Sequence, residues 1–328
     1  MEKSRKKVDF KKIIATYPQV ATLMLFIVVV ILFTVFSPVN KEGVSTFVTA
    51  KNIDSILQQT AIISITAFGM TLVLLINGID LSVGGVIALI GVVSSHLLEY
   101  QGWSTIPTIF VCLAIGAVLG VMNGTLIVYG RVVAFLITLG VMNIGRGLGY
   151  VISQGQSTYV TDQLVRQIFV RQELFGISVL IWWTFIFLIV MYILVSKTKF
   201  GRRSQAIGGN EEAALNSGVR VNRVKIMVYT INGIIAAFAG LIMVARLGNG
   251  SASVGEGAEM NAITAAVLGG TFAGEGGNMF GTLLGSLVIG TIVNGLTIIG
   301  VNSYVQTVVK GCIIIVTVVG SMALSRKK

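Results

Sequence analysis

The sequence predicts an all-α polytopic membrane protein of about ten transmembrane helices, and three observations lead to this prediction. Apolar residues make up 54% of the chain and charged residues only 11%, whereas soluble domains average about 25% charged residues. Apolar runs of about 15–24 residues recur, each long enough to cross a bilayer as a helix. Two thirds of the basic residues, 16 of 24, lie in three segments, the pattern that the positive-inside rule describes for cytoplasmic regions.

The placement of the basic residues explains the net charge of +11 without a nucleic-acid partner. Six basic residues lie in the first dozen positions, three end the chain, and seven fall between Lys197 and Lys225. With the N-terminus inside, ten crossings return the C-terminus and the 197–223 loop to the same side. We therefore expect a multi-pass protein surrounded by lipid, with both termini cytoplasmic.

The predicted elements follow one another in a single transmembrane domain, 1–328. A cytoplasmic basic tail, 1–16, precedes a first helical half at 17–152, an external loop at 153–175 and a second half at 176–328, which contains the cytoplasmic loop 197–223. The ten predicted spans are 17–36, 56–76, 83–98, 106–129, 132–152, 176–196, 224–247, 259–273, 279–299 and 303–324.

An internal repeat relates the two halves. The stretch "NGIDLSVG" from Asn77 matches "NGSASVG" from Asn249, with offsets of 172 at the start and 171 at the end. Asn123-Gly124 matches Asn294-Gly295, and two glycine pairs in the fifth and tenth spans (Gly140 with Gly311, Gly149 with Gly320) share the offset of 171. Agreement of four separate matches on one offset indicates a repeat rather than chance.

The repeat is predicted to be inverted, because five spans per half is an odd number. Inverted repeats are typical of transporters that expose one site alternately to either side of the membrane. The third and eighth predicted spans are the shortest, and each follows one of the Asn-Gly elements. Short, glycine-interrupted spans at corresponding positions of two halves point to a transport pathway.

The polar residues of these elements are candidates for the translocation path or its gate: Asn77, Asp80, Ser82, Asn249 and Ser253. An acid within a membrane region is a functional candidate by default. Asp80 or Ser82 can equally cap the N-terminus of the third span. The matched element carries no acid, which favours capping over direct contact with a solute.

Three further polar residues lie within predicted spans. Asn123 and Asn294 can hydrogen-bond across helices or offer donors and acceptors to a polyhydroxylated solute. Arg146 must face an aqueous cavity or pair with an acid or with carbonyl groups, since exposure of its charge to lipid is too costly.

The loop "GRRSQAIGGNEEAALNSGVRVNRVK" contains the motif Glu212-Ala213-Ala214-x-x-x-Gly218. Asn210 can cap a short helix through 211–216, with Glu211 and Glu212 in its first turn, and Gly218 can end it. A short helix with acids and alanines makes a poor membrane-binding face. It suits docking against another protein better, although an interfacial helix on lipid is the alternative.

The motifs of several chemistries are missing from the sequence. There is no G-x-x-x-x-G-K-[ST], so the chain is not expected to bind nucleotide. His96 is the only histidine, so neither a metal cluster nor a Ser-His catalytic pair is expected. Cys112 and Cys312 lie in apolar runs and are expected to be small core residues. We predict no metal and no cofactor in this chain, and no enzymatic activity.

Three stretches, "GMTLVLLINGIDLSVGG", "AIGGNEEAALNSGV" and "AAVLGG", resemble the permease subunit of ribose-type carbohydrate ABC importers, and the similarity extends over about 46–310. The resemblance implies a ten-span protein, paired as a dimer in the inner membrane of a bacterium. It also implies a cytoplasmic ATPase subunit that binds the ATP and a soluble sugar-binding protein outside. The 211–218 element corresponds to the segment that meets the ATPase.

The sugar stays open at this stage, because ribose, galactose, xylose and nucleoside permeases share these motifs. A stand-alone secondary transporter is an alternative, but it normally needs an ion site within the membrane, and Asp80 has no acidic counterpart in the matched element. An intramembrane enzyme is disfavoured by the missing catalytic residues.

Overall fold

A computed structural model describes residues 18–40, 43–171, 173–274 and 276–325, so the predicted tail 1–16 lies outside the described residues. It confirms an all-α polytopic fold. The α-helices are α1 (Pro18–Phe36), α2 (Ala50–Leu75), α3 (Ser82–Glu99), α4 (Thr105–Gly130), α5 (Ala134–Ser153), α6 (Gln163–Arg166), α7 (Val179–Lys197), α8 (Lys199–Gly209), α9 (Glu211–Asn216), α10 (Val221–Leu247), α11 (Ala258–Leu268), α12 (Met279–Ile298) and α13 (Ser303–Ser325).

Short elements fill the connections between these helices. A 3₁₀ turn, Thr46–Val48, precedes α2, and a π-helical turn, Gln167–Arg171, follows α6. The four strands have two residues each: β1 (Thr158–Tyr159) pairs antiparallel with β4 (Asn249–Gly250), and β2 (Glu173–Leu174) pairs antiparallel with β3 (Ile177–Ser178). The predicted external loop is therefore structured, and β1 joins it to the second Asn-Gly element.

Eight of the described helices are long and apolar enough to span a membrane, so the predicted count of ten is not confirmed. The eighth predicted span, 259–273, is an 11-residue helix that ends at Leu268. The chain turns there because Gly269 packs against the backbone of Gly281, and Gly270 has a φ of +85°. The tenth predicted span corresponds to the 23-residue helix α13.

Three helices form the centre of the molecule. The second half of α2, nearly all of α3 and most of α10 are buried. The outer helices α1, α4, α5 and α7 each expose a broad apolar face, as lipid-facing helices do. Cys112 on α4 is buried, but Cys312 on α13 is exposed, so the expectation of a core residue is wrong for Cys312 because its side of α13 is left uncovered.

Each half of the chain contributes a central helix that packs on the other half. Helix α10 packs on α4 and α3 of the first half, and α2 packs on α12 and α11 of the second half. Helices α2 and α10 begin 171 residues apart, at Ala50 and Val221, which is the offset of the sequence repeat. This reciprocal packing is what a two-fold axis relating the halves would produce. Their inverted orientation in a bilayer remains a prediction.

Glycines set the closest contacts in this arrangement. Gly116, Gly120 and Gly124 form a G-x-x-x-G-x-x-x-G stripe on α4, a spacing that lets two helix backbones approach each other. The three glycines lie against the backbone of α10 between Ile226 and Gly233. A β-carbon on Gly124 would stand 2.7 Å from Cα of Ile226, so the interface requires glycine.

Candidate functional site

A buried polar cluster forms where the chain leaves α2 and enters α3. Asn77 takes a left-handed conformation, with φ +57°, and turns the chain so that Asp80 lies in the interior, 1% exposed. The backbone N–H and Oγ of Ser82 donate to Asp80 Oδ1 at 2.9 and 2.6 Å. Asn232 Nδ2 donates to Asp80 Oδ2 at 2.8 Å, and Asn123 Nδ2 donates to Ser82 Oγ at 2.8 Å.

This cluster ties together three helices from both halves of the chain. Asp80 and Ser82 hold the start of α3, Asn123 belongs to α4, and Asn232 belongs to α10. The N-cap position of α3 is Leu81, which makes no side-chain cap bond, so Asp80 is not the N-cap. Its carboxylate accepts the first N–H of α3 and also cross-links α3 to α10. Burial raises the pKa of the Asp80 carboxyl in this interhelical link, and the hydrogen bonds from Ser82 and Asn232 oppose that rise.

Asn232 and Tyr229 are site residues that the sequence analysis missed. Tyr229 is 1% exposed, and its hydroxyl faces Gly78, where a β-carbon would stand 2.6 Å from the oxygen. The available signal was a lone amide in the apolar run of α10. It carried no indication of its partner, because Asp80 is 152 residues away.

A polar cavity lies beside this cluster. Its volume is about 230 Å³, and its lining comes from the α2–α3 link, the facing ends of α4 and α5, and α10. The lining residues are Ile76, Asn77, Gly78, Ile127, Val132, Ala134, Lys225 and Tyr229. Of the predicted path residues, Asn77 lines the cavity directly.

The two matched Asn-Gly elements meet at one point. A β-carbon on Gly84 would stand 2.8 Å from the carbonyl oxygen of Gly255, and one on Gly255 would stand 3.0 Å from the carbonyl oxygen of Gly84. These glycines are 171 residues apart. Asn249 lies instead in β4 opposite Tyr159, and the exposed Ser253 bonds with Ser251. Neither of these two predicted path residues reaches the Asp80 cluster.

Arg146 and Asn294 also lie apart from that cluster. Asn294 is 8% exposed, and its Oδ1 has no hydrogen-bond partner. Arg146 has buried Nε and Nη2 atoms without partners. Its guanidinium acts electrostatically on Glu259 at the start of α11, a residue that the sequence analysis did not select.

The predicted docking helix is present as α9. Asn210 Oδ1 accepts from the Ala213 N–H at 2.9 Å, which confirms the predicted cap, and Gly218 takes φ +81° just beyond the helix end. Ala214 is buried, whereas Glu212 and Leu215 point outward, the latter 58% exposed. Helix α8, which precedes α9 in the same loop, was not foreseen.

Two contacts join this helical loop to the cavity and to the end of α2. Lys225 Nζ on α10 forms an ion pair with Glu211 at 2.6 Å, and Lys225 also lines the cavity. Gly208, at the end of α8, packs against the carbonyl oxygen of Leu75, immediately before the α2–α3 link. The loop is therefore in contact with the cavity lining at Lys225 and with the end of α2 at Leu75.

The described residues contain no group of three or more His, Cys, Asp or Glu side chains that could hold a metal ion. The site consists of hydrogen-bonding groups, helix ends and glycine contacts. Such an arrangement can bind a polar solute weakly and change shape.

Comparison with known proteins identifies the family. The model of the "Branched-chain amino acid transport system / permease component" family matches residues 52–318. The ribose import permease protein of Bacillus subtilis is 40% identical over 308 residues, which cover 93% of this chain and 92% of that protein. The corresponding Escherichia coli K12 protein is 40% identical over 277 residues, with 83% and 86% covered.

A relative named for a different sugar matches as well. The xylose transport system permease protein of Escherichia coli K12 is 34% identical over 342 residues, covering 86% of this chain and 87% of that protein. No solved structure matches the chain significantly. The matched range, the similarity to ribose import permeases and the eight apolar helices show that the chain is a multi-pass membrane protein of the transport-system permease-component family.

Proposed function

We propose that this chain is the membrane-spanning subunit of an ATP-driven importer for a monosaccharide, ribose or a related aldose. Its relatives include ribose and xylose permeases, which supports an aldose and leaves ribose as the first sugar to test. A separate cytoplasmic subunit binds and hydrolyses the ATP, so the permease needs no cofactor of its own. An extracytoplasmic binding protein delivers the sugar, and two permease copies pair in the bacterial inner membrane.

The observation that carries this proposal is the connection between α9 and the cavity. Helix α9 exposes Glu212 and Leu215 for a protein partner, and its Glu211 is tied to Lys225 on α10. Closure of the partner ATPase pushes α9, and the push reaches α10 through that ion pair. It reaches the end of α2 through the contact between Gly208 and Leu75.

The polar cluster and the glycine contacts convert this push into a change of access. Asp80 connects α3 with α10, so movement of α10 is felt at the start of α3. Gly84 and Gly255, whose backbones touch, are the point at which one half turns against the other. The ATPase thereby shifts the population between states open to opposite sides.

A charge reversal in α9 tests the proposal in the native host. We expect Glu212→Arg to lower D-ribose uptake at least tenfold and to abolish ATPase stimulation in the purified complex. Glu212→Asp, which keeps the charge, is the matched control and should retain both activities. Equal amounts of each variant in the membrane must be verified by immunoblotting.

Two results would contradict the proposal. Uptake and ATPase stimulation that are unchanged in Glu212→Arg remove the role of α9. A deletion strain that imports D-ribose, D-xylose and D-galactose at wild-type rates removes the assignment to monosaccharides. Reporter fusions at both ends of the chain and beside α9 should all lie on the cytoplasmic side.

A further inference from the structure

Arg146 on α5 and Glu259 on α11 bring unpartnered polar atoms into the interior. Glu259 is 8% exposed, and its Oε2 has no hydrogen-bond partner. The Nε and Nη2 atoms of Arg146 are buried and also unpartnered. In the described part of the chain the two residues form no ion pair within 4.0 Å. Buried groups in this condition are costly, so a partner is expected in some state of the transporter.

The Glu259 carboxylate and the backbone beside Arg146 both pack on one turn at the start of α3. Gly145, the neighbour of Arg146, packs against Gly85. A β-carbon on Gly145 would stand 2.8 Å from the carbonyl oxygen of Gly85. The Glu259 carboxylate lies against Gly84, the preceding residue of α3. The guanidinium is the positive charge that acts on this carboxylate. The site therefore adjoins the Gly84–Gly255 contact between the halves.

The unpartnered atoms of Arg146 are hydrogen-bond donors, and that of Glu259 is an acceptor. Nε and Nη2 form one edge of the planar guanidinium and present two parallel N–H donors. Glu259 Oε2, when the carboxylate is ionised, accepts hydrogen bonds and donates none. A cation would satisfy the carboxylate and leave the guanidinium unpaired, and a small anion would do the reverse. A neutral molecule with adjacent hydroxyl groups satisfies both, because each hydroxyl accepts and donates.

We propose that Arg146 and Glu259 form a low-affinity binding site for the vicinal hydroxyl groups of the transported monosaccharide. The guanidinium edge donates to two neighbouring hydroxyl oxygens, and one of these hydroxyls donates its hydrogen to Glu259 Oε2. This inference rests on the proposed function and adds to it the residues of the chain that contact the solute.

Saturation-transfer difference NMR on the full chain in lipid nanodiscs tests the site, with D-ribose and D-xylose as probes. We expect a sugar signal from the wild type and from Asp54→Asn, a control at an exposed acid on α2. The signal should fall at least fivefold in Glu259→Gln and Arg146→Gln. Arg146→Lys keeps the positive charge but lacks the two-donor edge, so it should lose the signal while remaining folded.

The outcomes separate this inference from the proposed function. Sugar signals in Arg146→Lys and Glu259→Gln equal to that of the wild type overturn the binding site. So does a wild-type signal no larger than that of Glu259→Gln. If cells with the wild-type permease import D-ribose and cells with Arg146→Lys import it equally fast, only the binding site is wrong. If the wild type supports no sugar uptake, the proposed function itself fails.

Discussion

Replacement of Gly120 by alanine should separate α4 from α10 and destabilise the permease. A β-carbon there would stand 2.7 Å from Cα of Thr230 and 2.9 Å from the carbonyl carbon of Tyr229. The carbonyl oxygen of Tyr229 would be nearer still, and ordinary contacts begin at 3.4 Å, so the helices must move apart by at least about 0.7 Å. The opposing atoms are backbone and cannot rotate away. Overpacking of this kind costs about 1–3 kcal/mol, and we expect the upper half of that range.

Gly91→Ala is the matched control for this prediction. Gly91 is a buried glycine within α3, and a β-carbon there would have one ordinary contact, 3.6 Å from a methyl group of Val244. Both substitutions gain the same helix propensity, about 1 kcal/mol, so their difference isolates the packing cost.

Thermal unfolding in nanodiscs measures this difference. We expect Gly120→Ala to unfold at a temperature roughly 5–10 °C below that of Gly91→Ala. Sugar uptake should fall with it, since Asn123 on the same helix must keep its hydrogen bond to Ser82. A Gly120→Ala permease as stable as Gly91→Ala would refute the close packing of α4 on α10.

Three further predictions concern the cluster and the loop. Asp80→Ala leaves the donors of Ser82 and Asn232 without an acceptor and should cost about 3 kcal/mol or more of unfolding free energy, whereas Asp54→Ala at an exposed position should stay within about 0.5 kcal/mol of the wild type. Lys225→Met removes a partly exposed ion pair whose contribution to stability is about 0–1 kcal/mol. We expect an unchanged unfolding temperature and a several-fold loss of ATPase stimulation. Full stimulation would contradict transmission through this pair. Asn210→Ala removes the cap of α9, worth about 1 kcal/mol, so amide hydrogen exchange in that helix should quicken roughly fivefold, and equal exchange rates would show that the cap does not hold the helix.

The position of Glu211 illustrates how structure refines a motif. The sequence placed Glu211 and Glu212 together in the first turn of a docking helix. The structure separates them, because Glu211 is held by Lys225 while Glu212 remains exposed. Under the proposed function, Glu211 transmits movement within the chain and Glu212 contacts the partner.

The helical membrane architecture, most helix positions and the capped helix α9 could be predicted from sequence alone. These features depend on local chemistry: apolar length, the side-chain oxygen of Asn210, and the freedom of Gly218 to adopt positive φ. The early start of α2 at Ala50 was missed because its first turns are polar. The predicted span at α11 was too long, because an apolar run does not reveal where a helix must end so that Gly269 can pack against Gly281.

Tertiary structure alone decided which polar residues belong together. Asp80 meets Asn232 from 152 residues away, and Arg146 acts electrostatically on Glu259 of the other half. The repeat located Asn249 and Ser253 at positions equivalent to Asn77 and Ser82 but could not show that they lie outside the cluster. Hydrogen bonds and charge contacts depend on how helices distant in sequence cross, and that crossing is set by the packing of many glycines at once.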